Sequence, residues 1–569
     1  MAIDLNILIG GAAGQGVHAI TVPLARALVR RGCRVFFHMS YESRIRGGHI
    51  FNQIRLADKP IIAPREGVDL LVALNQETVS LHQPELSSPG FIIFDATQVQ
   101  DAPTAAPALP LSLEELLPGT KAGEIAVNAG ACGAILGLLK GPLASLVELL
   151  KETFAAKGEE VVGWNVEAAT RGYDLAAARE FPVSVAGVAP PPSPRLLISG
   201  HEAVALGALA AGVQFLSGYP MTPWTSVMNA IGQRARQYGV VLEQAEDEIA
   251  AINLALGASY AGLRALTGTS GGGFCLMTEA LGLAGMTETP LVIVMGSRPG
   301  PSTGLPTRTA QGDLGFVLNA GQDDFPRAVL APGSPAQGFA LMAKAFNLAD
   351  RYQLPVLVLT DQYFADSGWT LSPADFPARV EIDRALATGP VQGTYERYVI
   401  TPDGVSPRRL PGAGPEAVVA DSDEHTPDGH LTEDLAVRVQ MHEKRLRKLQ
   451  GLVKELGGLT TAGPADAPLC LVCWGSSYGP VAEAVARLNE AGTPARLVHL
   501  SELWPFPREA VARALKDAKK LVMVELNATG QMNRLLSQET GRAADHLVLK
   551  YDGTPFTPEY ILRGLKGEA

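Results

Sequence analysis

Cysteine is scarce, with five residues in a chain of 569. That number rules out a disulfide framework for so long a sequence, and a reducing cytoplasm suits it best. No four cysteines have a spacing that would hold an iron–sulfur cluster. Charged residues are also few, at 18%, and the net charge is −11. With no dense Lys/Arg block, nucleic acid is excluded as a partner. Low charge beside 47% hydrophobic residues argues against long disordered tails. No apolar run approaches the length of a membrane span. The opening "MAIDLNILIGG" is a short apolar run stopped by glycine, which predicts a strand and not a signal peptide. Two phosphate-binding patterns are missing as well, the P-loop GxxxxGKS/T and the dinucleotide motif GxGxxG.

What is present is three α/β units. In the first third, "LNILIGG" predicts a strand and "GVHAITVPLARALVRRG" an amphipathic helix closed by Gly32. The short strands "RVFFHMS", "IFNQIRL", "VDLLVALN" and "GFIIFDA" follow, implying an open, mostly parallel sheet with helices on both faces. Four of the five residues 190–194 are proline, which marks a stiff linker. The expected division is an α/β domain over 1–185, a linker over 186–195 and a second α/β domain over 196–385. A loop and charged helix over 386–456 and a third α/β domain over 457–569 complete it. In the charged helix Thr432 is the expected cap, and the alternating charges predict a solvated face. Cys470 and Cys473 form a CxxC, but within a strand positions i and i+3 point to opposite faces, so they are expected to be small apolar strand residues.

Several stretches could carry chemistry. "GGAAGQGVHA" joins the first strand to the first helix and offers an anion the helix N-terminus, or is simply a tight turn. "YESRIRGGH" adds Arg44 and Arg46, an anion-facing loop or a subunit contact. In "SGYPMTPWT" two prolines fix the backbone around Thr222, which suits substrate positioning or a turn in which Thr225 caps the next helix. Trp224, beside that threonine, is a candidate to shape the choice of substrate. "GSRPGPSTGLPTRTAQGDL" follows a buried strand, with Arg298 where the strand ends. Ligands of open α/β sheets bind there, and an arginine can grip a carboxylate with two parallel bonds. Finally, "EQAEDEIAAINLALGASYAG" sets Glu246, Asp247 and Glu248 against an apolar helix. They either serve the positive end of the helix dipole, or one carboxylate is buried to hold a proton-transfer partner.

Together "SGYPMTP", "EDEIAAINLALGASYAG", "TGTSGGGFCLMTEALGLAG" and "RPGPSTGLPTRTAQGDL" resemble the α subunit of 2-oxoacid:ferredoxin oxidoreductases. "GGAAGQGV" with "SRIRGGH" resembles their γ subunit, and the fusion resembles the γα large subunit of two-subunit members such as the 2-oxoglutarate enzymes. The resemblance spans essentially the whole chain. It implies a γ domain, a thiamine-diphosphate pyrimidine-binding domain and a transketolase C-terminal-like domain, each an open, mostly parallel sheet. The implied reaction is CoA-dependent oxidative decarboxylation of a 2-oxoacid to acyl-CoA and carbon dioxide, with electrons passing to ferredoxin. 2-Oxoglutarate is the favoured substrate and pyruvate the next. Carried onto this sequence, Glu248 would bond the aminopyrimidine ring of thiamine diphosphate. Thr222, Arg298 and Tyr219 would bind substrate, while Pro220, Thr269 and Ser270 would line the cofactor. No metal ligand is expected here. The GDG motif that anchors the diphosphate through magnesium is absent, the nearest strings being "QGDL", "TPDG" and "YDGT". Mg2+, a 4Fe-4S cluster and the diphosphate domain are therefore expected in a β subunit, in a dimer of heterodimers.

Two other classes compete. A nicotinamide-dependent dehydrogenase would use the N-terminal sheet, although the glycine order GxxGxG counts against it. A non-catalytic scaffold would use the three acids only to cap a helix.

Overall fold

The computed structural model describes residues 3–43, 47–120, 126–391 and 393–568. Arg44 and Arg46 lie outside the described residues. The chain forms two compact units, one of residues 1–199, 366–375 and 557–559, the other of 200–365, 376–556 and 560–569.

The first unit is built on an eight-stranded sheet. Strand Asp4–Ala12 runs parallel to Val68–Ala73, and the parallel order continues through Leu86–Asp95 to Ala108–Leu111. On its other side the sheet turns antiparallel, through His49–Ala57, Arg34–Ser40, Gly368–Leu371 and Leu196–Ser199. The expectation of a mostly parallel sheet here is thus corrected for half of it. Strands 34–40 and 49–57 follow one another over a short connection, which can only reverse the chain. Strand Leu196–Ser199 belongs to this sheet, although the sequence placed residue 196 in the next domain. Within the expected linker Arg195 is tied down, its Nη1 donating to Gly32 O at 2.6 Å. The first helix, Val17–Arg31, ends at Gly32 as expected, with φ 112° and its N–H on Val29 O.

The second unit holds two sheets. The larger has the order Glu502–Trp504, Ala328–Leu330, Pro355–Asp361, Leu291–Ser297, Ala265–Thr269, Phe215–Gly218, Val241–Gln244. All its pairings are parallel except that of the edge strand 502–504. Its central strand 291–297 is buried at every position, as a sheet covered on both faces requires. The smaller sheet has the order Leu459–Ala462, Ala495–Leu500, Leu469–Trp474, Lys520–Glu525, His546–Leu549. Only its first strand is antiparallel. Cys470 packs into the core shared with the larger sheet, and Cys473 into the opposite cluster with Val481 and Phe556. The CxxC is therefore split across the sheet, and burial raises the Cys470 thiol to about 11.

Helix Leu435–Glu455 differs from expectation. Its cap is Asp434, whose side chain accepts from Ala436 and Val437 N–H, while Thr432 only receives the Asp434 N–H. Its face is not solvated either: Lys444 and Lys448 are fully buried, 2.5 Å from the two oxygens of Glu288. Among the described residues no helix is long and apolar enough to cross a membrane.

His499, on strand 495–500, is fully buried with Nε2 3.0 Å from Gly475 O. Burial lowers its pKa from 6.5 to about 4. A depressed histidine stabilises the fold above 6.5 and withdraws that stability as pH falls toward 4, because only the unfolded chain takes up the proton. Asp361, raised by burial to about 6, works in the opposite sense, its contribution being lost as pH rises through 6. Replacing His499 with Asn should therefore remove about 2 kcal/mol of the stability lost between pH 7 and pH 5. Denaturant unfolding at the two pH values checks this, and an unchanged difference contradicts it.

Candidate functional site

The site is assembled at the C-terminal ends of the parallel strands in the larger sheet of the second unit. Helix Glu248–Tyr260 starts after strand 241–244. The three acids there have separate fates. Glu246 is exposed, and Asp247 is the N-cap, accepting from Ala250 N–H at 2.8 Å. Glu248 turns inward and is 3% exposed. A carboxylate in the first helical turn is favoured by the free N–H groups beside it, but that benefit does not require burial.

Strand 265–269 brings Thr269 to this carboxylate, where its hydroxyl donates to Glu248 Oε1 at 3.1 Å. The same hydroxyl lies 3.7 Å from Met221 Sδ, which ties in the proline loop. The next residue, Ser270, precedes helix Gly271–Met286 and has a buried hydroxyl with no partner. Buried polar groups are rarely left unpaired, so such a hydroxyl points to a ligand. The glycines of "SGGG" make the close approach possible. A Cβ at Gly273 would stand 2.3 Å from Glu248 Oε1 and 2.1 Å from Thr269 Oγ1, and one at Gly271 would meet Asp313 Oδ1 at 3.1 Å.

Arg298 follows strand 291–297 and donates from Nη1 to Thr222 O at 2.9 Å, so the two substrate candidates touch. Its Nε is buried without a partner. Burial lowers the guanidinium below the usual arginine range, and the carboxylates of Asp313 and Glu248 act against that shift. Asp313 is pushed up by burial, while the Ser297 hydroxyl and Arg298 favour its charged form. A guanidinium whose buried Nε has no partner can donate to a further anionic oxygen.

The structure thus groups Glu248, Thr269, Ser270, Arg298 and Thr222. Tyr219 and Pro220 stand on the exposed part of their loop, and Tyr219 is 39% exposed. Trp224, beside Thr222 in sequence, is fully buried, packed where Cβ atoms on Gly218 and Gly268 would clash with it, and its indole N–H has no partner among the described residues. Pro223, not Thr225, occupies the position before helix Trp224–Gly232. Sequence reasoning missed Asp313 and Gly273. The signal for Asp313 was its place at the end of the long loop after Arg298, where "QGDL" had been weighed only as a metal motif.

A buried acid at a helix start, a glycine-opened turn and an arginine at a strand end define a cofactor-dependent α/β enzyme subunit. The comparisons make the class specific. Residues 206–444 match the family described as pyruvate flavodoxin/ferredoxin oxidoreductase, thiamine diP-bdg. Residues 6–175 match pyruvate ferredoxin/flavodoxin oxidoreductase, and 467–561 match pyruvate:ferredoxin oxidoreductase core domain II. The chain is 31% identical to a 2-oxoacid:ferredoxin oxidoreductase subunit alpha from a Sulfolobus species, covering 99% of this chain and 96% of that one. It is 32% identical to 2-oxoglutarate oxidoreductase subunit KorA of Mycobacterium tuberculosis, over 85% and 78% of the two chains. The structure of 2-oxoglutarate:ferredoxin oxidoreductase from Magnetococcus marinus, solved with 2-oxoglutarate, coenzyme A and succinyl-CoA bound, superposes with a TM-score of 0.91 at 33% identity, covering 99% of each chain. The chain belongs to the 2-oxoacid:ferredoxin oxidoreductase family, among its alpha subunits. The nicotinamide-dehydrogenase and scaffold readings are thereby set aside.

Proposed function

We propose that the chain is the large, γα-type subunit of an enzyme converting a 2-oxoacid, CoA and two oxidised ferredoxins to acyl-CoA, carbon dioxide, two reduced ferredoxins and a proton. 2-Oxoglutarate is the favoured substrate and pyruvate the next. The observation that carries this is the buried Glu248 carboxylate, held by Thr269 and opposed by Gly273. The residues present fit the pyrimidine half of thiamine diphosphate: one inward carboxylate, one unpaired buried hydroxyl at Ser270 and a glycine-opened floor. When bound, that cofactor supplies a carbon nucleophile and an electron sink for decarboxylation. Glu248 would hold a proton against a ring nitrogen of the aminopyrimidine. Thr269 fixes the direction of the carboxylate, and Pro220, Thr269 and Ser270 would line the ring. Arg298, held by its bond to Thr222 O, would take the substrate carboxylate in two parallel bonds, with Thr222 and Tyr219 at the rim.

In this reading the diphosphate, its Mg2+ and a 4Fe-4S cluster belong to a β subunit, with ferredoxin as the electron partner and a dimer of heterodimers as the assembly. Exposed apolar side chains beside the site, Ile249 and Leu254 on one helix and Leu276 on the next, suit such a docking face. Its domains would be a γ-type segment to 185, a pyrimidine-binding segment over 196–385 and a transketolase C-terminal-like segment over 457–569. Five free cysteines suit the reducing cytoplasm.

The test is to assemble the chain with its β partner and measure viologen reduction over a panel of 2-oxoacids with CoA. Activity should require both a 2-oxoacid and CoA. Arg298→Lys, which keeps the charge but loses the fork, should raise the KM for the 2-oxoacid about 10- to 100-fold, equivalent to about 1.4–2.7 kcal/mol. An unchanged KM, or reduction driven by NADH alone, would overturn the reading.

A further inference from the structure

Asp313 and Arg298 bracket a long loop whose far end is fixed by a residue outside the site. Gln311 is 2% exposed. Its amide nitrogen donates to Trp474 O at 2.8 Å, and its Oε1 accepts from Leu526 N–H at 3.0 Å and from Ser477 Oγ at 3.2 Å. Its backbone N–H bonds Leu526 O at 2.7 Å, and Asn527 Nδ2 donates to its carbonyl at 3.2 Å. The next residue is held too, with Gln531 Nε2 on Gly312 O at 2.7 Å.

These partners occupy one place in the smaller sheet. Trp474 ends strand 469–474, and Leu526 directly follows strand 520–525, the adjacent strand. From strand 469–474 the chain crosses to 495–500 on one side, and the later strands add on the other. The carboxyl ends of 469–474 and 520–525 therefore flank the topological switch point, the crevice where open α/β sheets bind ligands. Here the backbone groups of that crevice are spent on the side chain of Gln311. Two residues further on, within about 7 Å of chain, stands Asp313, whose Oδ1 faces the glycine turn of the site, where a Cβ on Gly271 would meet it at 3.1 Å, and whose charge acts on Arg298.

We infer that Gln311 is a positioning residue: seated in the switch-point crevice of the C-terminal sheet, it fixes the loop end carrying Asp313 and so sets Arg298 for the 2-oxoacid carboxylate. The C-terminal sheet thus acts as a clamp on the substrate loop and has no small-molecule site of its own at this crevice. This rests on the reading of Arg298 as the carboxylate receptor.

The experiment is a double-mutant cycle in the assembled complex, using 2-oxoglutarate or whichever 2-oxoacid the panel selects. Gln311→Ala and Arg298→Lys are made singly and together, and kcat, KM for the 2-oxoacid and KM for CoA are measured. Gln311→Ala should raise the KM for the 2-oxoacid about tenfold and leave the KM for CoA within twofold. In the Arg298→Lys background it should raise the KM no more than twofold, because in this proposal Gln311 acts on the substrate only through Arg298. Gln311→Met, which keeps bulk but not the bonds, should behave like Ala. If Arg298→Lys raises the KM and Gln311→Ala multiplies that effect by its full factor, the positioning role is wrong while the reading of Arg298 stands. If Arg298→Lys leaves the KM unchanged, both fall. Loss of assembly in both Ala and Met variants, or a fall in kcat alone, would assign Gln311 a purely structural role and overturn the proposal.

Discussion

Glu248→Gln should abolish most turnover, lowering 2-oxoacid-dependent viologen reduction about 10²- to 10⁴-fold while leaving the complex assembled. Glutamine preserves the shape of the side chain and can still accept from Thr269 Oγ1, so the bond at 3.1 Å and the packing against Gly273 survive. What it removes is the capacity to hold and release a proton at the buried position. Glu248→Asp is the informative companion. It keeps the acid but withdraws it by one methylene, and it should recover little, because a proton transfer needs heavy atoms within about 2.6–3.2 Å. The measurement is steady-state kinetics with CoA and thiamine diphosphate in excess, beside sedimentation to verify assembly. Unchanged turnover in Glu248→Gln would reduce the acid to a helix-end residue like Asp247.

The largest effect on stability should come from Glu288→Gln. Glu288 is 1% exposed and sits 2.5 Å from both Lys444 Nζ and Lys448 Nζ. Burial works against its carboxylate, yet the charges of Lys444, Lys448 and Arg397 outweigh burial and hold its pKa well below the usual range. Lys448 is itself drawn down by burial to about 7, with Glu288 opposing that. Removing one partner of a buried ion pair typically costs about 3–5 kcal/mol, because the remaining charge is left without compensation. The sign with pH follows. A lysine whose folded pKa is depressed gives up stability as pH falls and regains it as pH rises toward the unfolded value near 10.5. The loss in Glu288→Gln should therefore be smaller at pH 9 than at pH 7, and adding Lys448→Met should recover part of it. Urea unfolding at the two pH values measures both effects. A loss below about 1 kcal/mol at pH 7 would mean the cluster is solvated after all.

These two carboxylates differ in how far the sequence announced them. The residues alone left open which of Glu246, Asp247 and Glu248, if any, is buried, and only the family resemblance singled out Glu248. Glu288 was not announced at all, because its lysines lie 156 and 160 positions downstream, on a helix whose alternating charges suggest water. Charge alternation reports composition along one helix and carries no information about a distant counter-charge. The same limit explains Gln311 and Asp313. Both stand in the quoted stretch "RPGPSTGLPTRTAQGDL", yet Gln311 gains meaning only when it meets Trp474 and Leu526 from the last hundred residues, and Asp313 only when it comes beside Arg298 and Gly271. The seat of Trp224 was hidden for a related reason: Gly218 and Gly268, far apart in sequence, together leave room for its indole. The antiparallel half of the N-terminal sheet was missed where two strands followed each other over a short connection. By contrast the split CxxC, the Gly32 helix end and the parallel core of the second unit all followed from period and turn chemistry alone.

The most direct test of the account is a crystal structure of the chain assembled with its β partner and thiamine diphosphate. The account predicts a carboxylate oxygen of Glu248 within about 3.2 Å of an aminopyrimidine ring nitrogen, with Thr269 still bonded to the other oxygen. A pyrimidine ring seated elsewhere, with the Glu248 carboxylate bonded only to protein, would contradict it.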